Sequence, residues 1–408
     1  MKWFFKNKRI YADYASGTPI DPDVFSAMRP YIQKKSFNPQ GLYQESLMVH
    51  DTLENARRDV ARLCGVTERN IVFTSGGTEA NMIAILSLYE TVVSHIAGTP
   101  KILVSSIEHP SVLGVLELLK KRGCEIIFIP VTKEGIVDVS FIEKQIDAQT
   151  ALVIVMGANN EIGTLQPISR IGRMVRQFRK DNNCLYPFVH SDIVQMGNTH
   201  SVQLSGMHVD SIALSGSKIY GPKGSGVWVF QSHINPRSWF SGGTQEFGFR
   251  PGTHNVSACI GFAKALSMAQ KEYKKEYDRL LELRTELYTR IQSTFPEVIL
   301  IGSQKERLPQ NLYLVFPGIF AEQLVIELDA RGIAVSSQSA CSTGSGKVSH
   351  VLQAIAKYYD GVIQEGIRIS LGKDISKNDI IQIHYAVCES VKKLYTDRNR
   401  FLSYAKKT

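Results

Sequence analysis

The stretch Ser215-Gly-Ser-Lys-Ile-Tyr-Gly-Pro-Lys-Gly224 lies between two short apolar runs, Asp210–Leu214 and Gly226–Phe230. Both runs are brief, rich in β-branched or aromatic residues and bounded by Gly and Ser, which predicts buried β-strands. The turn between them is too rich in Gly and Pro for a helix, so Lys218 is predicted to lie at a strand end beside a packed sheet. A desolvated lysine there has a lowered pKa and can act as a nucleophilic amine. A lone lysine is more often a solvated loop residue, so this interpretation depends on what the fold brings near it.

Strands and helices alternate along the chain before this stretch. The helix from about Glu79 to Glu90 follows the first strand, and the other helices alternate with the later strands in the same way. Such alternation predicts an α/β fold: a mostly parallel sheet of about seven strands, flanked by helices on both faces. The five strands predicted before residue 210 are Ile71–Thr74, Ile102–Ser105, Ile126–Ile129, Ala151–Met156 and Pro187–His190.

The pattern changes near Gly261. A long amphipathic helix, a strand at Leu312–Phe316, a strand at Gly366–Ser370 and a final helix from about Lys377 to Leu394 predict a smaller α+β domain. We therefore expect two domains: a large one over residues 18–261, and a small C-terminal one over residues 262–408 that also includes residues 1–17.

Composition excludes several classes of protein. With 408 residues, 43% of them hydrophobic and 21% charged, the chain is typical of a globular protein with a large core. The net charge of +9 is spread over scattered basic pairs, which argues against a nucleic-acid-binding stripe. No apolar run approaches about 18 residues and the N-terminus does not resemble a signal peptide, so we expect no membrane association. The six cysteines form no CxxC pair, which favours free thiols, a cytoplasmic location and no metal site.

A candidate anion site follows the first strand of the alternation. Ser75-Gly76-Gly77-Thr78-Glu79 opens a helix, where the backbone N–H groups of small residues such as Gly77 and Thr78 can approach a phosphate. The stretch lacks the full dinucleotide or P-loop pattern, so an ordinary capped turn remains the alternative.

Polar residues follow several of the other predicted strands. Asp192 comes just after the strand ending at His190, where a carboxylate can pair with a protonated ring nitrogen, and Gln195 lies three residues further on. His109 could stack on a ring or hydrogen-bond to it, and Asn159-Asn160-Glu161 offers amide donors at the end of its strand. Each has a structural alternative, but all are predicted at the carboxyl ends of parallel strands, as is Lys218. The sequence therefore predicts one shared site.

Two residues of the C-terminal part complete the candidate set. Cys341 lies among small polar residues, Ser336-Ser-Gln-Ser-Ala-Cys-Ser-Thr-Gly-Ser-Gly346, a setting typical of an accessible thiol. Arg368 lies within an apolar strand, where an arginine needs a partner, and a carboxylate ligand held by two hydrogen bonds would supply one. The cysteines at positions 64, 124, 259 and 388 lie in apolar patterns and are predicted to be packing residues.

Together these residues resemble the cysteine desulfurases of the class-V aminotransferase group, which are pyridoxal-phosphate enzymes of fold type I. The resemblance covers nearly the whole chain, from Tyr11 to Gly372. Its most specific motifs are Ser215–Gly224, Asn159-Asn-Glu-Ile-Gly163, Arg250-Pro-Gly-Thr253 and Ser339-Ala-Cys341.

The resemblance implies a role for each residue around pyridoxal 5'-phosphate. Lys218 would form the Schiff base, Asp192 would pair with the pyridine nitrogen, His109 would stack on the ring, and Gln195 and Asn160 would face the phenolic oxygen. The phosphate would be held by Gly77, Thr78, Ser215 and Ser217, joined by Thr253 from the second subunit of a homodimer.

It also implies the substrate and the fate of its sulfur. Arg368, with Asn160, would bind the carboxylate of L-cysteine, and Cys341 would take the sulfur as a persulfide. The persulfide would pass to an iron–sulfur scaffold or to another acceptor such as a tRNA-thiolation enzyme. Selenocysteine lyase, another class-V aminotransferase and a cofactor-free scaffold protein remain the alternatives. The sequence departs from the family pattern at Ser217, Tyr43 and Gly157, where histidine is usual.

Overall fold

The computed structural model describes residues 9–337, 349–359 and 366–405. Its helices are α1 Pro22–Gln33, α2 Gln44–Cys64, α3 Gly77–Val92, α4 Pro110–Lys120, α5 Val139–Gln145, α6 Ile168–Asp181, α7 Leu204–Met207, α8 Val256–Thr294, α9 Ala321–Ala330, α10 His350–Ala356 and α11 Lys377–Ala405. Its strands are β1 Ile10–Tyr11, β2 Ile71–Thr74, β3 Lys101–Ser105, β4 Glu125–Ile129, β5 Thr150–Ile154, β6 Phe188–Asp192, β7 Ser211–Ser215, β8 Gly226–Phe230, β9 Ile299–Leu300, β10 Asn311–Val315, β11 Ile333–Ala334 and β12 Ile367–Ser370.

A seven-stranded sheet in the order β2-β8-β7-β6-β5-β3-β4 forms the centre of the fold. Strand β8 runs antiparallel to its neighbours β2 and β7, and the strands from β7 to β4 pair in parallel. This arrangement confirms the predicted α/β fold with a mostly parallel sheet. Because the parallel strands end at one edge, the residues that follow them lie close together.

Helices cover both faces of this sheet, and the strand sequences alternate accordingly. Ile71 and Phe73 of β2 pack in the core that also contains α2 and the start of α8. Val72 and Trp228 face the opposite core, which contains α3 and α4. Burial on both faces explains why these strands read as short continuous apolar runs in the sequence.

The C-terminal part forms a second, smaller layer. Strands β12, β10 and β9 make a three-stranded antiparallel sheet. The N-terminal strand β1 pairs in parallel with β11. A third core holds β1, β10 and β12 against α9, α11 and the second half of α8. The N-terminal residues therefore pack with the C-terminal ones.

Several helices differ from their predicted bounds. Helix α8 runs unbroken from Val256 to Thr294, so no break in secondary structure marks the predicted boundary at Gly261. Its residues change core between Leu266, which packs with the large sheet, and Leu280, which packs in the small core. Helix α3 begins at Gly77 rather than near Glu79, and α11 continues to Ala405. Within residues 9–337, 349–359 and 366–405, no helix combines the length and the apolar character needed to cross a membrane.

Candidate active site

A cavity of about 250 Å³ lies at the carboxyl edge of the large sheet, facing the small one. Such a volume lies just below the usual range for small-molecule sites. Ten of the twelve residues predicted for the site line it: Gly77, Thr78, His109, Asn160, Asp192, Gln195, Ser215, Ser217, Lys218 and Arg368.

The turn that carries Lys218 is held tightly against the sheet. The Gly216 N–H donates to the Ser225 carbonyl oxygen at 2.9 Å, and a Cβ at Gly216 would lie 2.1 Å from the Ser225 Oγ. Only glycine fits at that position. The Lys218 Nζ donates to the Ser16 carbonyl oxygen at 2.5 Å, so the amine faces the cavity wall formed by the N-terminal segment.

The anion-binding end of the cavity lies at the start of α3. The first backbone N–H groups of this 16-residue helix have no acceptor within the helix, and its dipole is positive there. A Cβ at Gly77 would lie 2.8 Å from a methyl group of Val194, so a side chain there would displace the cavity wall. The hydroxyls of Ser215 and Ser217 lie 3.0 Å apart on the same cavity. Small residues and hydroxyl donors thus converge on a phosphate-sized site.

Asp192 is the last residue of β6, whereas the strand was predicted to end at His190. Its carboxylate is 7% exposed and accepts two hydrogen bonds, from the Val194 N–H at 2.9 Å and from the Asn81 Nδ2 at 2.7 Å. The two donors bind different oxygens, Val194 at Oδ1 and Asn81 at Oδ2, which fixes the orientation of the carboxylate.

His109 caps the N-terminus of α4 with its side chain. The His109 Nδ1 accepts from the Ser111 N–H at 3.1 Å and lies 2.8 Å from the Ser111 Oγ. Burial lowers the pKa of His109 below its ordinary value, and the charge of Asp192 opposes this shift. At neutral pH the ring is therefore uncharged and suited to stacking on an aromatic ligand.

Arg368 enters the cavity from β12 and is 1% exposed. Its Nη1 donates to the Asn160 carbonyl oxygen at 2.8 Å, and its Nη2 donates to Asp13 at 2.8 Å and to Ser16 at 2.6 Å. Asp13 of the protein itself is thus a carboxylate partner of the kind that was predicted for Arg368. The buried Nε has no partner among the described residues, so the protein does not use every N–H of the guanidinium.

The remaining amides occupy the loops around the cavity. Asn159 and Asn160 lie beyond the end of β5 at Ile154, so the strand is shorter than predicted. The Asn159 side chain closes its own turn by binding the Glu161 and Ile162 N–H groups. The Gln195 Nε2 donates to the Ala15 carbonyl oxygen at 3.1 Å and joins the N-terminal segment to the large sheet.

Two predicted site residues are not placed in the cavity. Thr253 is exposed, in the segment before α8, and does not line the cavity of its own chain. Cys341 lies outside the described residues. The cysteines at positions 64, 124, 259 and 388 are buried, which confirms them as packing residues, and Cys184 is partly exposed.

Sequence reasoning missed Asp13, Ser16, Asn81 and Ser111. Asn81 was detectable, because a single asparagine stands in the otherwise apolar run Ala80–Leu86 of α3. Asp13 and Ser16 left no such signal, because only the pairing of β1 with the C-terminal part brings them to Arg368.

The residues present fit pyridoxal 5'-phosphate. A cradle of glycine and hydroxyl groups suits its phosphate. The carboxylate of Asp192, which is held by two hydrogen bonds, suits its pyridine nitrogen. Lys218 and Arg368 line the same cavity. The fold and the cavity together define a pyridoxal-phosphate enzyme of the α/β type.

Comparison with known proteins agrees with this class. The family described as Aminotransferase class-V matches residues 10–383, and the chain belongs to that family. Its relatives include the cysteine desulfurase IscS of Dictyoglomus turgidum, 34% identical over 91% of this chain and 92% of the relative. The mitosomal cysteine desulfurase of Trachipleistophora hominis is 34% identical over 95% of this chain and 87% of its own. A solved structure of a NifS-like protein superposes with a TM-score of 0.86 at 30% identity, covering 95% of this chain and all (100%) of that one.

Proposed function

We propose that this protein is a homodimeric, pyridoxal-phosphate-dependent cysteine desulfurase, which converts L-cysteine to L-alanine and passes the sulfur to an acceptor protein. The observation that carries the proposal is the convergence of Lys218, Asp192, His109 and Arg368 on one cavity of about 250 Å³. Cysteine desulfurases among the relatives match over nearly their whole length.

The cavity residues divide into a cofactor set and a substrate set. When bound, pyridoxal phosphate draws electrons from the carbon skeleton of the amino acid attached to it. Lys218 is the amine that would hold the cofactor and then carry protons at the substrate's α- and β-carbons. Asp192 would keep the ring nitrogen protonated, and His109 would cover the ring. Arg368 would bind the substrate carboxylate through its Nε.

The phosphate end would be completed by the second subunit. Gly77, Thr78, Ser215 and Ser217 would hold the phosphate from one chain, and Thr253 of the other chain would add a hydroxyl. Ser217 offers a donor without charge where the family usually has histidine. Burial lowers the pKa of His109, so the cations that line the cavity in the described part of the chain are Lys218 and Arg368.

An exposed apolar surface supports the homodimer. Leu42, Tyr43, Leu47 and Met48, at the start of α2, are 92%, 52%, 48% and 52% exposed, which is costly for a monomer. The nearby Gln40 Oε1 accepts a hydrogen bond of 2.8 Å from Gln245, at the beginning of the segment that carries Thr253. Burying this surface against a second copy would bring Thr253 to the interface. Light scattering in solution checks this point, and a monomer at micromolar concentration would contradict it.

Cys341 would carry out the sulfur transfer. Its thiolate would form a bond to the sulfur of cysteine as the carbon–sulfur bond breaks, and the electron pair of that bond would stay with the carbon, which is protonated and leaves as alanine. Described residues on either side of residues 338–348 contact a residue that lines the cavity or the neighbour of one in the sequence. Ser336 pairs with the backbone of Arg368, and the His350 Nε2 donates at 2.8 Å to the carbonyl oxygen of Glu108, next to His109.

The natural acceptor would be an iron–sulfur scaffold or a tRNA-thiolation enzyme, and the compartment would be the cytoplasm. Aminotransferase activity is less well supported, because it does not require a thiol such as Cys341. Selenocysteine lyase activity is less well supported because the relatives compared above are cysteine desulfurases.

The test is incubation with L-cysteine and a thiol reductant, with alanine and sulfide measured together. We expect equal amounts of both from the wild type. Cys341→Ser should lower both by several orders of magnitude, because a serine hydroxyl is not ionised near neutral pH. Cys184→Ser, at the partly exposed cysteine outside the cavity, is the matched control and should keep full activity. Sulfide release by Cys341→Ser at the wild-type rate would exclude the desulfurase mechanism.

A further inference from the structure

A row of buried hydrogen bonds runs from Asp192 into the interior, behind the cavity wall. The Asn81 Nδ2 lies 2.7 Å from the Asp192 Oδ2, and the His190 Nε2 lies 3.1 Å from the Asn81 Oδ1. The His190 Nδ1 is 2.8 Å from the Ser211 Oγ, which is also 2.8 Å from the Trp228 Nε1. Asn81, His190, Ser211 and Trp228 are fully buried, and none of them lines the cavity. We call these four residues the amide relay.

The chemistry of the groups gives the amide relay one direction. The indole N–H of Trp228 can only donate, so the Ser211 Oγ accepts from it and has its own proton to give to the His190 Nδ1. Burial lowers the pKa of His190 to about 3, so its ring is neutral and carries a single N–H. With the Ser211 hydroxyl as its donor, the Nδ1 is an acceptor and the ring proton lies on Nε2, which donates to the Asn81 Oδ1. This is also the arrangement in which the Asn81 NH₂ group donates to Asp192. The Asn81 amide is therefore fixed with its NH₂ group toward Asp192.

The Asn81 NH₂ group is also connected, through Ser111, to His109, the second residue proposed to contact the ring. Besides Asp192, it donates to the Ser111 Oγ at 2.9 Å. The Ser111 hydroxyl then gives its own proton to the His109 Nδ1 at 2.8 Å. The His109 Nδ1 thus accepts two donors, and the ring proton lies on Nε2. A reversed amide would place its oxygen against the Asp192 carboxylate and the Ser111 hydroxyl, and both contacts would be lost.

We propose that Asn81 is a positioning residue for both sides of the cofactor ring, held in one orientation by the amide relay. Through one N–H it keeps Asp192 an acceptor for the pyridine nitrogen, and through the other it fixes the tautomer and angle of His109. The proposal rests on the roles proposed above for Asp192 and His109. It assigns a function to His190, Ser211 and Trp228, which touch neither cofactor nor substrate.

Ser211→Ala is the sharpest perturbation, because it removes one oxygen atom far from the cavity. Without that hydroxyl, the His190 Nδ1 loses its donor and the imidazole can take either tautomer. The Asn81 amide can then reverse. Ser191→Ala is the matched control, since Ser191 is equally buried on the neighbouring strand β6 and its hydroxyl has no partner among the described residues. Ser211→Thr keeps the hydroxyl and should restore the wild-type behaviour.

Two measurements separate positioning from simple stability. The first is the ¹⁵N resonance pattern of His190 in the cofactor-free protein, where we expect the Nε2–H form in the wild type and in Ser191→Ala, and a mixture of tautomers in Ser211→Ala. The second is the ratio of the affinities for pyridoxal 5'-phosphate and for its analogue with CH in place of the ring nitrogen. We expect Ser211→Ala to lower this ratio on the order of tenfold, the effect of one hydrogen bond to a charged group.

The outcomes distinguish failure of the amide relay from failure of the role proposed for Asp192. A wild-type His190 protonated on Nδ1 would overturn the amide relay, whatever the variants do. A Ser211→Ala protein with an unchanged affinity ratio would also overturn it, even if the protein melts at a lower temperature. A wild type that binds both cofactor analogues equally would instead remove Asp192 as the partner of the ring nitrogen, and the amide relay's function with it.

Discussion

Replacing Arg368 with lysine tests whether the guanidinium binds the substrate carboxylate. In the wild type its two terminal nitrogens are engaged by Asn160, Asp13 and Ser16, and the Nε has no partner among the described residues. Lysine keeps the positive charge but concentrates its donors on one atom, so it cannot bind the protein and a carboxylate in the same fork geometry. The ammonium would pair with Asp13, and the substrate would lose its donor.

The size of the effect follows from the contact that is lost. A hydrogen bond to a charged group contributes about 1.5–3 kcal/mol, so the KM for L-cysteine should rise roughly ten- to hundredfold. The kcat should change much less, because the reacting atoms lie at Lys218. Steady-state alanine production over a range of cysteine concentrations separates the two constants.

Arg307→Lys provides the matched control. Arg307 is also 1% exposed, but it binds backbone carbonyl oxygens and Asn311 and does not line the cavity. Its replacement should destabilise the fold and leave the KM for cysteine unchanged. An unchanged KM in Arg368→Lys, or an equal rise in both variants, would refute the assignment of Arg368.

Three further changes test other parts of the site. Lys218→Ala should abolish activity and the visible absorbance of the bound cofactor. Lys223→Ala, at an exposed residue of the same turn, should keep both. Native absorbance in Lys218→Ala would exclude Lys218 as the residue that forms the Schiff base. Ser217→His should slow the loss of cofactor during dialysis by adding a donor beside the phosphate, and faster loss would show that the site is adapted to serine. Burial raises the pKa of Glu108 from 4.5 to about 8, so the folded state holds a proton that the unfolded state releases, and stability falls as pH rises between these values. Glu108→Gln should remove this slope, so its melting temperature relative to the wild type should rise between about pH 5 and about pH 8.5; a constant difference would contradict a protonated Glu108.

The large sheet was predictable because its strands are buried on both faces. Each appears as a short apolar run, and the residues that follow such strands must meet at one edge. That argument places Asp192, His109 and Lys218 together from the sequence alone. The change of core along α8 could not be predicted in the same way, because the helix is continuous and no Gly or Pro marks the point where its second half packs in a different core.

The contacts that orient the site residues were not predictable in the same way. Asp13 reaches Arg368 only because β1 pairs with β11, and two-residue strands leave no periodic pattern. Asn81 could be noticed as a polar residue in an apolar helix, but its partners Ser111 and His190 come from two other elements of the sheet. Local pattern predicts which residues face an edge, and only tertiary packing decides which side chains they bind.

The N-terminal segment has consequences for how the chain is synthesised. The Ala15 N–H donates to the Ser370 Oγ, 355 residues later, while the strands of the large sheet all lie between Ile71 and Phe230. The sheet can therefore form while the ribosome is still translating the rest, but the segment that supplies Ser16 to the cavity must wait for β12 to emerge. Until then the Lys218 turn lacks one of its walls. Removing either end of the chain would remove that same wall, so a truncated product would contain the sheet and its lysine without a closed site for substrate.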